Sequence, residues 1–201
     1  MVIELVVATR NRHKTREIQN ILGPEFIVRD LADTEVPEIR ENGTSFEENA
    51  KLKALVASRQ LPGLVIADDS GLEVNDLGGA PGIYSARYAG ANATNSEKID
   101  KLLRELVRVR VTDHGRRARF RCVVALARNG DLLGIFEGKI EGKISDTARG
   151  DSGFGYDPIF VPDGFEQTFG ELPEEVKNSI SHRAKAIRAL AEKLKRLEFG
   201  R

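Results

Sequence analysis

Strand-type and helix-type apolar patterns alternate through the first hundred residues, and that alternation limits the chain to a few architectures. The run Val2-Ile3-Glu4-Leu5-Val6-Val7-Ala8 predicts a strand buried over most of its length. Ile18, Ile21 and Leu22 then recur at helical spacing behind Asn11, a good N-cap, which predicts a helix from near Arg12. Phe26-Ile27-Val28 predicts a short strand, and "SFEENAKLKALVAS" a helix to about Ser58, opened by a capping box of Ser45 and Glu48. Leu64-Val65-Ile66-Ala67 predicts a short buried strand that stops at Asp68-Asp69-Ser70-Gly71. Thr94 and Glu97 form a second capping box before Ile99, Leu102, Leu103 and Leu106, an amphipathic helix. Beyond it, Phe120 to Ala127 reads as a strand, Asn129-Gly130 as a hairpin, and Leu132 to Ile144 as return strands. The chain closes on a helix with Ile187, Leu190, Ala191, Leu194 and Leu197 on one face. Helices flanking a mixed sheet follow, an α/β or α+β fold.

Charge narrows the function. Lysine plus arginine equals aspartate plus glutamate at 31 each, so no global field attracts nucleic acid or a membrane surface, and any anion site is local. The apolar runs fall far short of a membrane span and no signal peptide fits the N-terminus, which points to a soluble, cytoplasmic protein. At 201 residues the chain suits one domain, spanning 1–201, or one domain with a cleft between two lobes. The single cysteine, Cys122, lies in a strand pattern and reads as a small core residue. There is no G-x-x-x-x-G-K-[ST] and no G-x-G-x-x-G. Three histidines without H-E-x-x-H spacing argue against zinc.

Four segments are too polar or too glycine-rich for simple scaffolding. In "ATRNRHKTREIQNIL" the first helical turn carries Arg12, His13 and Lys14, at the end where the helix dipole is already positive. Either the turn is merely solvated or an anion binds there, as helix N-termini allow. In "ADDSG" two adjacent carboxylates end a buried strand, either as an Asx-type turn or as a site for a cation. The loop "GGAPGIYSARY" suggests no chemistry from its residues alone. In "GDSGFGYDPIF", glycines flank Phe154, so its ring is either a stacking platform for a flat base or buried in a turn. Lys177, His182 and Arg183 gather donors near a further helix start, with Ser181 as a possible cap. Phosphate donors, acidic residues and an aromatic together suit a Mg²⁺-dependent phosphate chemistry.

With these residues in view, the chain resembles the inosine triphosphate pyrophosphatase family. The matching blocks are Thr9-x-Asn11-x-x-Lys14, Ser45-Phe46-Glu47-Glu48-Asn49-Ala50, Ala67-Asp68-Asp69-Ser70-Gly71-Leu72, Gly78 to Tyr88, Gly153-Phe154-Gly155-Tyr156-Asp157-Pro158, and Ser181-His182-Arg183. The resemblance implies an elongated, twisted mixed sheet flanked by helices, with two lobes and an active-site cleft between them. It implies a Mg²⁺-dependent homodimer that cleaves ITP, dITP and XTP to the monophosphate and pyrophosphate. Carried over by position, Thr9, Asn11 and Lys14 hold phosphates, Glu41 and Asp69 bind metal, and Asp69 is also the general base. Lys53 matches an active-site lysine. Ser70, Phe154, Gly155, Tyr156, Asp157, Lys177, His182 and Arg183 match substrate-binding positions, with His182 and Arg183 as candidate donors to the 6-oxo group of the base.

Two positions depart from the family pattern. Arg10 stands where glycine is common, which would strain the turn if the position needs positive φ. Gly170 stands where a small alanine is expected, a change expected to matter little. Two other readings use the same residues. A non-catalytic nucleotide sensor could dispense with Glu41 and Asp69. A different nucleotide hydrolase would be separated by its product, orthophosphate in place of pyrophosphate.

Overall fold

The computed structural model describes residues 2–32, 34–109 and 116–199, with side chains to residue 196. Its six strands form one mixed sheet in the order β2-β1-β3-β4-β5-β6. Strands β1 (Ile3–Val7) and β2 (Phe26–Arg29) are parallel and joined by helix α1 (Arg12–Leu22), the crossover that parallel strands require. β1 also pairs in parallel with β3 (Leu64–Val74), reached through helix α2 (Phe46–Ser58). Helix α3 (Asn95–Arg108) precedes β4 (Arg117–Arg128), and β5 (Asp131–Ile144) follows β4 directly. The two-residue turn between them puts Asn129 and Gly130 at φ 52° and 86°, the left-handed geometry that an Asn-Gly hairpin supplies. β6 (Phe160–Pro162) pairs antiparallel with β5. Helices α4 (Glu174–Ile180) and α5 (His182–Phe199) complete the chain.

Several boundaries differ from the sequence reading, each for a local reason. Strand β3 does not stop at Asp68; it runs through both aspartates to Val74, so the Asx turn is excluded. Leu132 to Ile144 is one long strand, not several. Ser45 caps α2 by accepting from Glu48 N at 3.1 Å, but the Glu48 carboxylate turns to the amide and hydroxyl of Thr44, one residue earlier than a capping box requires. The box at Thr94 and Glu97 is reciprocal, as expected. Lys177 lies inside α4, not at a helix start.

The chain divides into two compact units. The first comprises Met1–Asp69, Cys122–Gly138 and His182–Arg201, the second Ser70–Arg121 and Lys139–Ser181. Each has its own core. In the first, Leu5, Val7 and Ile66 from the sheet meet Ile18 of α1 and Ile187, Leu190 and Leu194 of α5. Leu197, expected on the same face, lies outside the described side chains. In the second, Leu102 and Leu106 of α3 pack with Leu72 and Val74, and Phe120, Phe160 and Phe169 cluster with centroids 4.7–6.2 Å apart.

Candidate active site

An extended strand points successive side chains to opposite faces. In the first unit β3 therefore presents Asp68 one way and Asp69 the other, both buried. An unpaired buried carboxylate would protonate or unfold the strand, so the neighbours decide what each can do. Asp68 is closely held. Its Oδ1 accepts from Lys14 Nζ, and its Oδ2 from Arg183 Nε at 2.9 Å and from Cys122 Sγ at 3.0 Å. Arg183 in turn reaches Glu17 Oε2 through Nη1. Burial alone would raise the Asp68 carboxyl, but Arg183 and then Lys14 hold it well below the usual carboxylate range. The same cluster pushes the Cys122 thiol up, first by burial and then by Asp68, so this cysteine is a hydrogen-bond donor and no nucleophile.

Asp69 faces a different group. Lys53 Nζ lies 2.6 Å from Glu41 Oε1, 2.8 Å from the Asp68 carbonyl and 3.3 Å from Asp69 Oδ1. Burial pushes Asp69 above the ordinary carboxylate value, and Lys53 offsets only part of that. Burial works against the Lys53 ammonium too, yet Asp69 and Glu41 raise it overall. Asp69 Oδ2 is buried and outside hydrogen-bond geometry with any donor, as is the Asn49 amide nitrogen, whose side chain lies near enough to lower the carboxyl a little. A buried carboxylate oxygen without a donor, with a second acid held nearby by the same lysine, fits a hard cation that takes a few protein oxygens and completes its shell with water and phosphate. Among the described residues no three His, Cys, Asp or Glu side chains converge as a metal-holding group.

The turn from β1 into α1 is ordered by its own side chains. Asn11 Oδ1 accepts from His13 N at 3.0 Å, and Thr9 Oγ1 accepts from Asn11 N at 3.1 Å. Arg10 is not among the positive-φ residues, so the glycine common at this position is not required here. Its guanidinium donates instead to the Val36 carbonyl at 2.7 Å, tying the turn to the segment that leads to Glu41.

The second unit holds a separate polar group. Lys177 Nζ donates to Asp157 Oδ2 at 2.6 Å, and Phe154 N donates to the same oxygen at 2.7 Å. The Lys177 ammonium also sits 5.1 Å from the Phe154 ring centroid and 5.9 Å from that of Phe169, a cation–π pairing with each. Gly153, at φ 76°, is required: a Cβ there would overlap the Asp157 carboxylate. Phe154 is partly exposed, and Tyr156 is buried with its hydroxyl on the Ser85 carbonyl at 3.0 Å. Gly170 matters more than expected. A Cβ at that position would stand 2.7 Å from the Arg149 carbonyl and 3.0 Å from Pro158 Cα.

The family model that matches residues 5–193 is that of the Ham1 family. The chain belongs to the Ham1 family. It is 49% identical over 190 residues to a dITP/XTP pyrophosphatase of Shouchella clausii, covering 94% of this chain and 95% of that one. Identity to a dITP/XTP pyrophosphatase of Bacillus subtilis is 44% over 193 residues, 95% of this chain and 96% of the relative. Among solved structures, a HAM1 protein from Coxiella burnetii superposes with a TM-score of 0.85 at 42% identity, covering 96% of this chain and 98% of that one.

Within this Ham1-family chain the residues singled out from sequence fall into two groups. Lys14, Glu41, Lys53, Asp69 and Arg183 gather in the first unit, where Thr9, Asn11 and His182 also lie. Phe154, Asp157 and Lys177 gather in the second, with Gly155, Tyr156 and Ser70. Sequence reasoning singled out Asp68 only as one of the ADDSG pair, with no role of its own, and missed Glu17. Glu17 carried a signal: it precedes Ile21 by four residues, at the edge of the buried stripe of α1 where a solvated charge is out of place. Ser85 was missed as well. Its hydroxyl accepts from Leu72 N at 3.0 Å and donates to the Gly82 carbonyl at 2.6 Å, so the "GGAPGIYSARY" loop is a clasp on β3.

Proposed function

We propose that this chain hydrolyses the non-standard purine nucleoside triphosphates ITP, dITP and XTP to the monophosphate and pyrophosphate, with residues 1–201 working as one nucleotide pyrophosphatase domain. The observation that carries the reading is the geometry around Asp69: a buried carboxylate with one oxygen outside any hydrogen bond, an ammonium beside the other, and a second acid, Glu41, on the same ammonium. The names of the relatives support it.

In this reading Asp69 and Glu41 hold Mg²⁺, which when bound neutralises phosphate charge. Asp69, buried and with Lys53 beside one of its oxygens, orients the attacking water and takes its proton. Lys53, fixed between the two acids, keeps Asp69 in place and lends positive charge to the transition state. Lys14, Thr9 and Asn11 meet the phosphates at the start of α1, which accounts for the unfavourable cations in that first turn. Phe154 stacks on the base, Gly155, Tyr156 and Ser70 shape its surroundings, and Lys177 is oriented by Asp157. Arg183 is assigned differently from the sequence reading. Its guanidinium is engaged with Asp68 and Glu17, so reading the 6-oxo group falls chiefly to His182 and main-chain N–H groups.

The protein is proposed to act in the cytoplasm as a homodimer, without nucleic-acid or membrane partners; among the described residues no helix is long and apolar enough to cross a membrane. The deciding experiment is a triphosphate panel with Mg²⁺, scored separately for pyrophosphate and orthophosphate. ITP, dITP and XTP should exceed ATP by at least ~10²-fold in kcat/KM, because donors aimed at a 6-oxo acceptor are left unpaired opposite an adenine amino group. Comparable values for ATP and ITP, or release of orthophosphate, would overturn the assignment.

A further inference from the structure

We propose that Asp68 is the positioning residue for the Lys14 ammonium, setting its place before any phosphate arrives; the inference rests on the reading above, in which Lys14 receives those phosphates. A lysine side chain gives up much rotamer freedom when it is fixed, and Lys14 has a partly exposed side chain at the start of a helix. Its partner is wholly buried: the side chains of Lys14 and Asp68 are 16% and 0% exposed. The carboxylate therefore grips the ammonium from the protein side and leaves its outer donors to solvent.

Asp68 cannot turn away from this task. Oδ2 is held by Arg183 Nε and by the Cys122 thiol, which fixes the carboxylate plane and aims Oδ1 at Lys14. Glu17, one helical turn after Lys14 on α1, closes the arrangement by taking the other side of Arg183. Two cations and two anions thus alternate along one chain of ion pairs, Lys14–Asp68–Arg183–Glu17, drawn from α1, β3 and α5, with Lys14 as its most exposed member. The main-chain carbonyl of Asp68 accepts from Lys53 at 2.8 Å, so one residue sets the position of both lysines.

The substitution Asp68→Asn separates positioning from simple charge removal. An amide offers one acceptor oxygen where the carboxylate offered two. Two buried donors, Arg183 and Cys122, claim that oxygen, so the amide N–H₂ is left facing the Lys14 ammonium and displaces it. Calorimetric binding of inorganic tripolyphosphate in metal-free buffer should be about tenfold weaker in Asp68→Asn than in the unaltered protein. In a Lys14→Ala background the same change should cost nothing further, the mark of two residues acting through one contact. In turnover, Asp68→Asn should raise KM and leave kcat within about threefold.

Equal losses in both backgrounds, tighter tripolyphosphate binding in Asp68→Asn, or no tripolyphosphate binding by the unaltered protein would overturn the inference. Should Asp68→Asn fail to fold, the unaltered protein still decides the matter. The ¹⁵N resonance of the Lys14 ammonium, assigned by its loss in Lys14→Arg, should show a held group, and free rotation would overturn the inference. If the unaltered protein releases no pyrophosphate from any triphosphate, the functional reading fails, while the tripolyphosphate cycle and the ammonium resonance still report on Asp68.

Discussion

The two faces of β3 treat chemically identical side chains in opposite ways. On one face Asp68 is matched by two cations and a thiol, and its carboxyl is held low. On the other, Asp69 shares one lysine with Glu41, keeps an oxygen without a donor, and is raised. The first arrangement satisfies a charge completely and so fixes structure. The second leaves a charge under-satisfied, which costs stability and makes the group reactive. Adjacent residues on one strand thereby divide the work of holding and reacting, a division that a static scaffold has no need of.

The sharpest way to break this contrast is the same substitution at each position. Asp69→Asn should reduce turnover by at least ~10²-fold, the usual scale for removing a general base. Near-normal turnover at saturating Mg²⁺ would show that the raised carboxyl is not the base. The next largest effect is on stability. Removing the Asp68 charge leaves part of a buried ion network unmatched and should cost about 3 kcal/mol or more in denaturant unfolding. Asp69→Asn should leave stability unchanged or raise it by up to about 1 kcal/mol, since it removes a charge that burial disfavours. Opposite signs of these two changes are the signature; equal losses would merge the two faces into one.

Acid titration of stability in metal-free buffer sharpens the point with a smaller effect. A carboxyl lowered by folding contributes its full stability above its ordinary value of about 3.8, so the Asp68 contribution should be complete above that pH and decline progressively as pH falls from there through the lower folded value. A carboxyl raised by folding works the other way. Its penalty should be absent below the ordinary value, grow as pH rises, and be complete above the folded one. The stability gap between Asp69→Asn and the unaltered protein should therefore widen with rising pH from about 4. In the second unit, Phe154→Ala should weaken every purine triphosphate by a similar factor of about ten, the scale of one base–aromatic stack. Unequal losses would mean that the ring also reads base identity. The smallest change, Thr94→Ala at the α3 cap, should cost about 1 kcal/mol and leave turnover alone.

Much of this was legible from the residues. Asn11, Thr94 and Asn129-Gly130 behave as their local chemistry dictates because caps and tight turns are decided within a few residues. The end of β3 was misread because Asp68 and Asp69 look like a strand breaker until Lys14, Lys53 and Arg183 are brought up from distant segments. The contacts of Arg183 were illegible for the same reason: its partners, Glu17 and Asp68, are local to nothing in its own sequence. Gly170 looked replaceable because its constraint, the Arg149 carbonyl, is a tertiary contact. The aromatic and acidic residues of the candidate site were visible as types, but their pairing was not.

The chain of ion pairs through Asp68 also has a history in time. Asp68 and Arg183 are 115 residues apart, and Glu17 and Arg183 are 166 apart. A ribosome adding about 5–20 residues per second delivers Arg183 some 6–23 s after Asp68. Throughout that interval the nascent strand carries a carboxylate whose guanidinium partner has not been made. The polar interior of the first unit therefore closes only once α5 has been made, and a chain released before α5 would leave Asp68 and Glu17 without that partner.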